Sequence, residues 1–213
     1  LDKKLEIAAW LLNEKVFEKD YLEKIKKAGL EKVFLEIELP LVEVLEKMRQ
    51  LGIAVDLKKI NQLSKEYRKE LVNLEKKIKN LAGEDFNLNS PQQLSQVLFE
   101  KLKIKGGKRT KTGLRSTNVE ALQGLSGTHP IIELILKYRE LYKLLSTYLR
   151  PWAELATVAK DGRIHTTFLQ TGTTTGRLAS QNPNLQNVPS ELRQVFIPAK
   201  GYMLASFDYS QIE

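Results

Sequence analysis

The sequence predicts an α+β fold that is predominantly helical, and three observations predict it. Apolar residues recur at spacings of three or four through most of the first 150 positions, as on amphipathic helices. Residues 163–181 are rich in Thr and poor in helix formers, which suggests strands and turns. Pro151 divides the two regions, with a short joint expected over residues 150–162.

The elements follow in order. Leu5 to Leu12 reads as a short apolar helix, and Tyr21 to Ala28 as another stopped by Gly29. Pro40 suits the first turn of a helix running to Gln50, and Gly52 ends it. Asp56 then caps the clearest helix, with Leu57, Ile60, Leu63, Tyr67, Leu71, Leu74, Ile78 and Leu81 on one face and Gly83 at its end. Ser90-Pro91 opens a further helix. Thr117-x-x-Glu120 reads as a capping box, and residues 130–149 as a second long helix. Asn182-Pro183-Asn184 marks a turn, and Met203 to Phe207 reads as a short buried strand ending at Asp208-Tyr209.

Composition narrows the chemistry. The 213 residues suffice for one or two domains with a sizeable core. The absence of Cys excludes a disulfide scaffold, a Cys-ligated zinc site and a thiol nucleophile, and fits an intracellular, cytoplasmic protein. Two His exclude a His-rich metal site. No apolar run approaches the ~18 residues of a membrane span, so no membrane partner is expected. LDKKLEIAAW has neither an initiator Met nor a signal-peptide layout, so the chain is expected to be part of a longer one.

Charge is uneven. The net is +8, and +7 of it falls on residues 41–128, where 17 basic residues face 10 acidic ones. Lys101, Lys103, Lys105, Lys108, Arg109, Lys111 and Arg115 follow one another without an acid, interleaved with Gly106, Gly107, Thr110, Thr112 and Gly113. Such a loop is either a solvated basic surface or a phosphate-contacting one.

Two further clusters carry possible chemistry. Asp208 ends an apolar stretch, where a carboxylate either caps a following helix with Gln211 or binds a hard divalent cation such as Mg²⁺. Thr175-Gly176-Arg177-Leu178-Ala179-Ser180 and Pro183-Asn184-Leu185-Gln186-Asn187 combine an Arg with amides and hydroxyls. They either cap one another as polar turns or donate to minor-groove acceptors, which are nearly alike for every base pair.

The stretch HTTFLQTGTTTGRLASQNPNLQNVP (165–189) followed by SFDYSQIE (206–213) resembles the family A DNA polymerases of the bacterial DNA polymerase I type. The resemblance extends upstream through 37–56, 86–102 and 138–148, and is weak over residues 1–36. It implies a long-helix thumb over 57–150 with a basic tip at 101–118. That thumb is joined to the first strands of an antiparallel palm sheet, drawn from 37–56 and 151–213. Residues 1–36 would link to a preceding exonuclease-like region, although they hold no exonuclease carboxylate set.

At matching positions the resemblance implies that Asp208 is the first catalytic aspartate and binds both Mg²⁺ ions, with the Tyr209 carbonyl a further ligand. Ser210, Gln211 and Ile212 would line the deoxynucleoside triphosphate site beside Tyr209, and Glu213 would crowd the sugar 2′ position. Arg177, Asn184, Gln186 and Asn187 would meet the primer–template minor groove. Lys108, Arg109, Lys111, Ser116 and Asn118 at the tip, with Arg139 and Lys143, would grip the duplex. The family continues beyond this motif into fingers and the rest of the palm, so activity is expected to need a second polypeptide or further segment. Without that segment, a bare strand edge and exposed apolar surroundings at Phe207 are expected. The alternative is a non-catalytic duplex-binding module.

Overall fold

The computed structural model describes residues 2–16, 19–107, 109–110, 113–207 and 209–210. The Asp2 carboxylate accepts from the Lys4 amide and starts α1, Lys3–Leu12. α2 is Tyr21–Lys27, and Gly29, with φ of +71°, turns the chain away. A π turn, Val33–Glu38, runs directly into α3, Leu39–Leu51, which carries Pro40 in its first turn. Strand β1, Ile53–Val55, leads into α4, Leu57–Ala82, the 26-residue helix that the apolar period predicts. Ser90 caps α5, Pro91–Ser95, which continues as a π turn, Gln96–Lys101. After the basic loop come α6, Val119–Gln123, and α7, Pro130–Lys143. A π turn, Leu144–Leu149, passes into α8, Arg150–Val158. The remaining elements are β2 (Arg163–Ile164), β3 (Thr167–Leu169), β4 (Ala179–Gln181), a 3₁₀ turn (Ser190–Val195) and β5 (Phe196–Ile197).

The chain forms two compact units: residues 1–57 with 154–213, and residues 58–153. In the first, β1 lies between β2 and β5, antiparallel to both, with Ile53 opposite Ile164 and Val55 opposite Phe196. β3 and β4 pair separately, Phe168 opposite Ser180. A helical core gathers Ile7, Ala8, Ile25 and Phe34, and Tyr21 meets the Phe34 ring edge-on at 5.9 Å. In the second, the apolar faces of α4 and α7 are buried through Ile60, Leu74, Ile78, Ile131, Ile135 and Tyr138, and Trp152 is fully enclosed. Lys137 of α7 reaches Glu70 of α4 at 2.5 Å.

The structure revises three expectations. The expected joint at 150–162 is helical as far as Val158. Pro151 does not stop the chain because it follows a π turn, where the hydrogen-bond ladder is already offset. The α6 cap is Asn118, not Thr117: its carboxamide oxygen accepts from Ala121 N at 2.9 Å, and Thr117 is buried. Met203–Phe207 is not a buried strand. It has no strand partner among the described residues, and Met203 and Phe207 are 85% and 94% exposed. An apolar run becomes a strand only when its backbone groups find a neighbour.

Candidate functional site

The basic tip is built by its own backbone. Thr110 N donates to Leu114 O at 2.7 Å, and Arg109 and Arg115 face each other across an antiparallel bridge. Arg109 is exposed, and its guanidinium donates to Gly113 O at 3.0 Å. Arg115 is structural: it donates to Gly106 O at 3.0 Å and stacks over Phe99 at 5.1 Å. Lys101 is held by Glu84 at 3.1 Å. Lys103 and Lys105 are exposed, with no hydrogen bond or ion pair to another described residue. Lys108 and Lys111 lie outside the described residues.

Ser116, Asn118 and Arg139 share a cleft of about 340 Å³ that Pro91, Thr110, Leu114, Arg115 and Thr117 complete. Ser116 Oγ accepts from Asn118 N at 3.3 Å. The Ser116 hydroxyl and Asn118 amide each keep a donor that these bonds do not use. Arg139 is half-buried and donates to Thr117 O, and burial holds its guanidinium below the ordinary arginine value. It therefore fixes the loop that carries Ser116 and Asn118. Lys143 is exposed on the same helix.

Arg177, Asn184, Gln186 and Asn187 lie on the turns that flank β4, and all four are exposed. The turns cap one another. Ser180 Oγ donates to Asn184 Oδ1 at 3.2 Å and accepts from Leu185 N at 3.0 Å. Asn184 Oδ1 also accepts from Gln186 N at 2.9 Å, while Gln186 Nε2 donates to Leu178 O at 2.7 Å. The network ties Gln186 to Leu178, the residue after Arg177, so the polar capping between the turns is present. Tyr209 is 81% exposed and Ser210 is exposed. Asp208, Gln211, Ile212 and Glu213 lie outside the described residues.

Several residues that sequence reasoning does not single out brace this region. Gln170 is buried, and its Nε2 donates to the carbonyl and the carboxylate of Glu38, at 2.6 and 2.5 Å. Thr171 Oγ1 donates to Glu6 at 2.5 Å, and that bond leads the causes holding the Glu6 carboxyl below its ordinary value. Trp10 Nε1 donates to Thr173 O at 2.7 Å. His165 sits between Arg49 O, 2.8 Å from Nδ1, and the Asp161 carboxylate, 3.1 Å from Nε2. Beside it, Arg163 donates to Leu51 O at 2.8 Å. Gly52, with φ of +57°, leaves no room for a side chain: a Cβ there would stand 2.8 Å from His165 and 2.9 Å from Ile164 O. No signal in a single sequence pairs these residues, because most of the bonds end on main-chain atoms more than a hundred positions away.

The chain is similar to known proteins. The family model of DNA polymerase family A matches residues 57–213. DNA polymerase I of Caldicellulosiruptor bescii is 48% identical over 187 residues, 85% of this chain and 22% of that protein. The thermostable DNA polymerase I of Thermus filiformis is 45% identical over 210 residues, 95% of this chain and 25% of that protein. The chain thus spans about a quarter of the length of these curated relatives. Among solved structures, the POL domain of Pol1 from M. smegmatis, in complex with DNA primer-template and dNTP, superposes with a TM-score of 0.80 at 31% identity. It covers 95% of this chain and 39% of that one. Among the described residues, no helix is long and apolar enough to cross a membrane. With the family model matching residues 57–213 and with these relatives, the chain belongs to DNA polymerase family A.

Proposed function

We propose that this chain supplies the duplex grip and the first catalytic carboxylate of a template-directed DNA polymerase, which adds deoxynucleotides to a primer 3′ end by two-metal phosphoryl transfer. The observation that carries the reading is the family match across residues 57–213, which takes in every individual site residue named below. The M. smegmatis relative, solved with primer-template and dNTP, supports the same class of partners. Residues 57–150 act as the thumb, 37–56 and 151–213 as the first part of the palm, and 1–36 as a linking segment. Fingers and the rest of the palm, in the same or a second polypeptide, complete the active site in the cytoplasm.

Each group has a physical task. Lys108, Arg109 and Lys111 at the tip hold duplex phosphates without reading sequence. Ser116, Asn118 and Lys143 add donors along the same track, and Arg139 fixes it. Arg177, Asn184, Gln186 and Asn187 meet minor-groove acceptors of the primer-terminal pair and so test its geometry. Ser210, Gln211 and Ile212 line the nucleotide site, and Glu213 excludes a 2′-hydroxyl by occupying its space.

Asp208 and the Tyr209 carbonyl would hold Mg²⁺. No cluster of three or more His, Cys, Asp or Glu suited to a metal occurs among the described residues. Mg²⁺ needs none, since it retains waters and is held by one or two carboxylates beside substrate phosphates. When bound, Mg²⁺ activates the primer 3′-oxygen and neutralises charge on the leaving pyrophosphate. The remaining work is positioning, which needs no His or Cys.

The test is Asp208→Ala in a polypeptide that continues through fingers and palm. Primer extension is expected to fall roughly a thousandfold or more, about 4 kcal/mol, while primer–template affinity stays within about threefold. Unchanged extension would overturn the catalytic assignment. Duplex binding without extension by the unaltered protein would establish the binding module instead.

A further inference from the structure

The loop that carries Arg177 is tied to a part of the chain that the family match does not include. Its first residue, Gln170, is 2% exposed and anchored twice on Glu38. The next, Thr171, is anchored on Glu6, and Thr173 is anchored by the Trp10 indole N–H. Thr173 Oγ1 then donates to Arg177 O at 2.7 Å, so two hydrogen bonds lead from Trp10 to the Arg177 main chain. Glu6, Trp10 and Glu38 all precede residue 57, where the match begins. α1 is itself fixed by the core of Ile7, Ala8, Ile25 and Phe34, so the anchor is rigid.

Between Gln170 and β4 the far end of the loop is held by Gln186, whose Nε2 donates to Leu178 O at 2.7 Å, and the near end by the bonds from Trp10 and to Glu6 and Glu38. Residues 170–178 include Gly172, Gly176 and four Thr, and they form turns without a strand or helix of their own. A long, exposed Arg side chain leaving such a loop reaches one acceptor reproducibly only if its main chain is fixed to within about 0.5 Å. The Trp10 and Thr171 bonds supply that constraint from outside the loop.

We propose that Trp10 and Glu6 are positioning residues for Arg177: they hold the 170–178 loop so that its guanidinium meets the minor-groove acceptor of the primer-terminal base pair. The proposal rests on the minor-groove reading of Arg177 and names what makes that contact selective. Both α1 residues reach the loop itself, Trp10 at the Thr173 carbonyl and Glu6 at the Thr171 hydroxyl. The N-terminal segment is part of the terminus-sensing device, not merely a linker.

The experiment uses the full polymerase and two primer–templates, one ending in guanine and one in 3-deazaguanine, which lacks only the minor-groove N3 acceptor. The unaltered protein is expected to extend the deaza primer roughly tenfold or more slowly. Arg177→Ala is expected to abolish that ratio, which tests the underlying reading. Trp10→Phe keeps an aromatic ring and removes the indole N–H, and is expected to reduce the ratio to about threefold or less, as is Thr173→Ala. Glu6→Ala is expected to reduce it too. Glu6→Gln retains an acceptor for Thr171 and is expected to restore it.

A purely structural role would slow both primers alike and leave the ratio at its original value. A full ratio in Trp10→Phe and Thr173→Ala, with Arg177→Ala still abolishing it, would overturn the bracing and keep the minor-groove contact. No ratio in the unaltered protein would overturn the contact and the bracing with it.

Discussion

The two units are held together by different physics. Residues 58–153 form a unit from one continuous stretch, and its helices bury apolar faces that recur every three or four positions. Residues 1–57 and 154–213 form a unit from two distant stretches, stitched by polar bonds from Trp10 to Thr173, Thr171 to Glu6, Gln170 to Glu38 and His165 to Arg49. The difference teaches that the continuous unit depends mainly on summed burial, whereas the other, beside its own core of Ile7, Ala8, Ile25 and Phe34, joins its two stretches through individual donors. Burial tolerates small displacements, whereas a hydrogen bond to a carbonyl 2.6 Å away does not. Proposed roles follow the same division: charge that grips phosphates can be imprecise, and a donor that tests a base pair cannot.

The largest effect expected is on the continuous unit. Trp152 is fully enclosed, with Tyr148 edge-on at 5.5 Å. Trp152→Ala removes its largest buried side chain and is expected to destabilise that unit by about 3–5 kcal/mol. Urea unfolding measures it, and a loss under about 1 kcal/mol would mean that burial is not what holds residues 58–153 together.

Next comes the charge at the tip. Replacing Lys108, Arg109 and Lys111 together by Ala is expected to weaken duplex binding by roughly tenfold or more and to flatten its salt dependence by up to about three units of slope. Arg109→Lys is expected to cost little, because phosphate attraction survives the exchange. Arg177→Lys is expected to be damaging, because a planar donor is replaced by a point charge. Equal effects of the two Lys exchanges would erase the distinction between the units.

Legibility in the sequence divides along the same line. The α4 helix is predicted and found at 57–82 because its period is strong and Gly83 ends it. Ser90-Pro91 is likewise a local signal and starts α5 as read. Asn118 and Thr117 are both capping residues, so the pattern is displaced by one position and only geometry separates them. Pro151 reads as the start of a short joint because the helix that continues through it to Val158 leaves no mark in composition. Met203–Phe207 has the apolar content of a strand, but its partner is a tertiary matter. Arg177, Asn184 and Gln186 are legible as a motif. Their supports, Glu6, Trp10, Glu38 and Gln170, are not, since a donor aimed at a distant carbonyl has no periodicity to betray it.

A smaller effect probes the stitched unit. Gln170→Leu keeps much of the volume and removes both donors from Glu38. Two half-buried acceptors then lose their partner, and the expected destabilisation is about 1–3 kcal/mol. If the stitching positions the Arg177 loop, discrimination against mismatched primer ends is expected to fall with it, measured by single-turnover extension. Trp152→Ala, under conditions where the protein remains folded, is expected to leave that discrimination intact. Parallel losses in both variants would show that fold stability alone sets discrimination.

The smallest effect is pH-dependent and local to the α3 corner. Both His165 ring nitrogens face acceptors, Arg49 O and the Asp161 carboxylate, and only the imidazolium donates to both. The Arg49 carbonyl contributes most to raising the His165 pKa, followed by Asp161, while burial and then the Arg163 charge oppose them. The Arg49 guanidinium is itself taken by Glu46 at 2.6 Å. His165 in turn holds the Asp161 carboxyl below its ordinary 3.8. The signs give a window. The histidine contribution is full below its unfolded pKa of 6.5 and is lost as pH rises through the raised folded value. The aspartate contribution is present above 3.8 and is lost as pH falls through the lowered folded value. The corner is therefore tightest between about pH 4 and 6.5. Thermal unfolding at pH 6 and pH 8.5 is expected to differ by about 1–3 °C more in the unaltered chain than in His165→Gln, with the unaltered chain favoured at the lower pH. An identical pH dependence in the two proteins would mean that His165 folds in as the neutral ring and that a single hydrogen bond, not the pair, closes the corner.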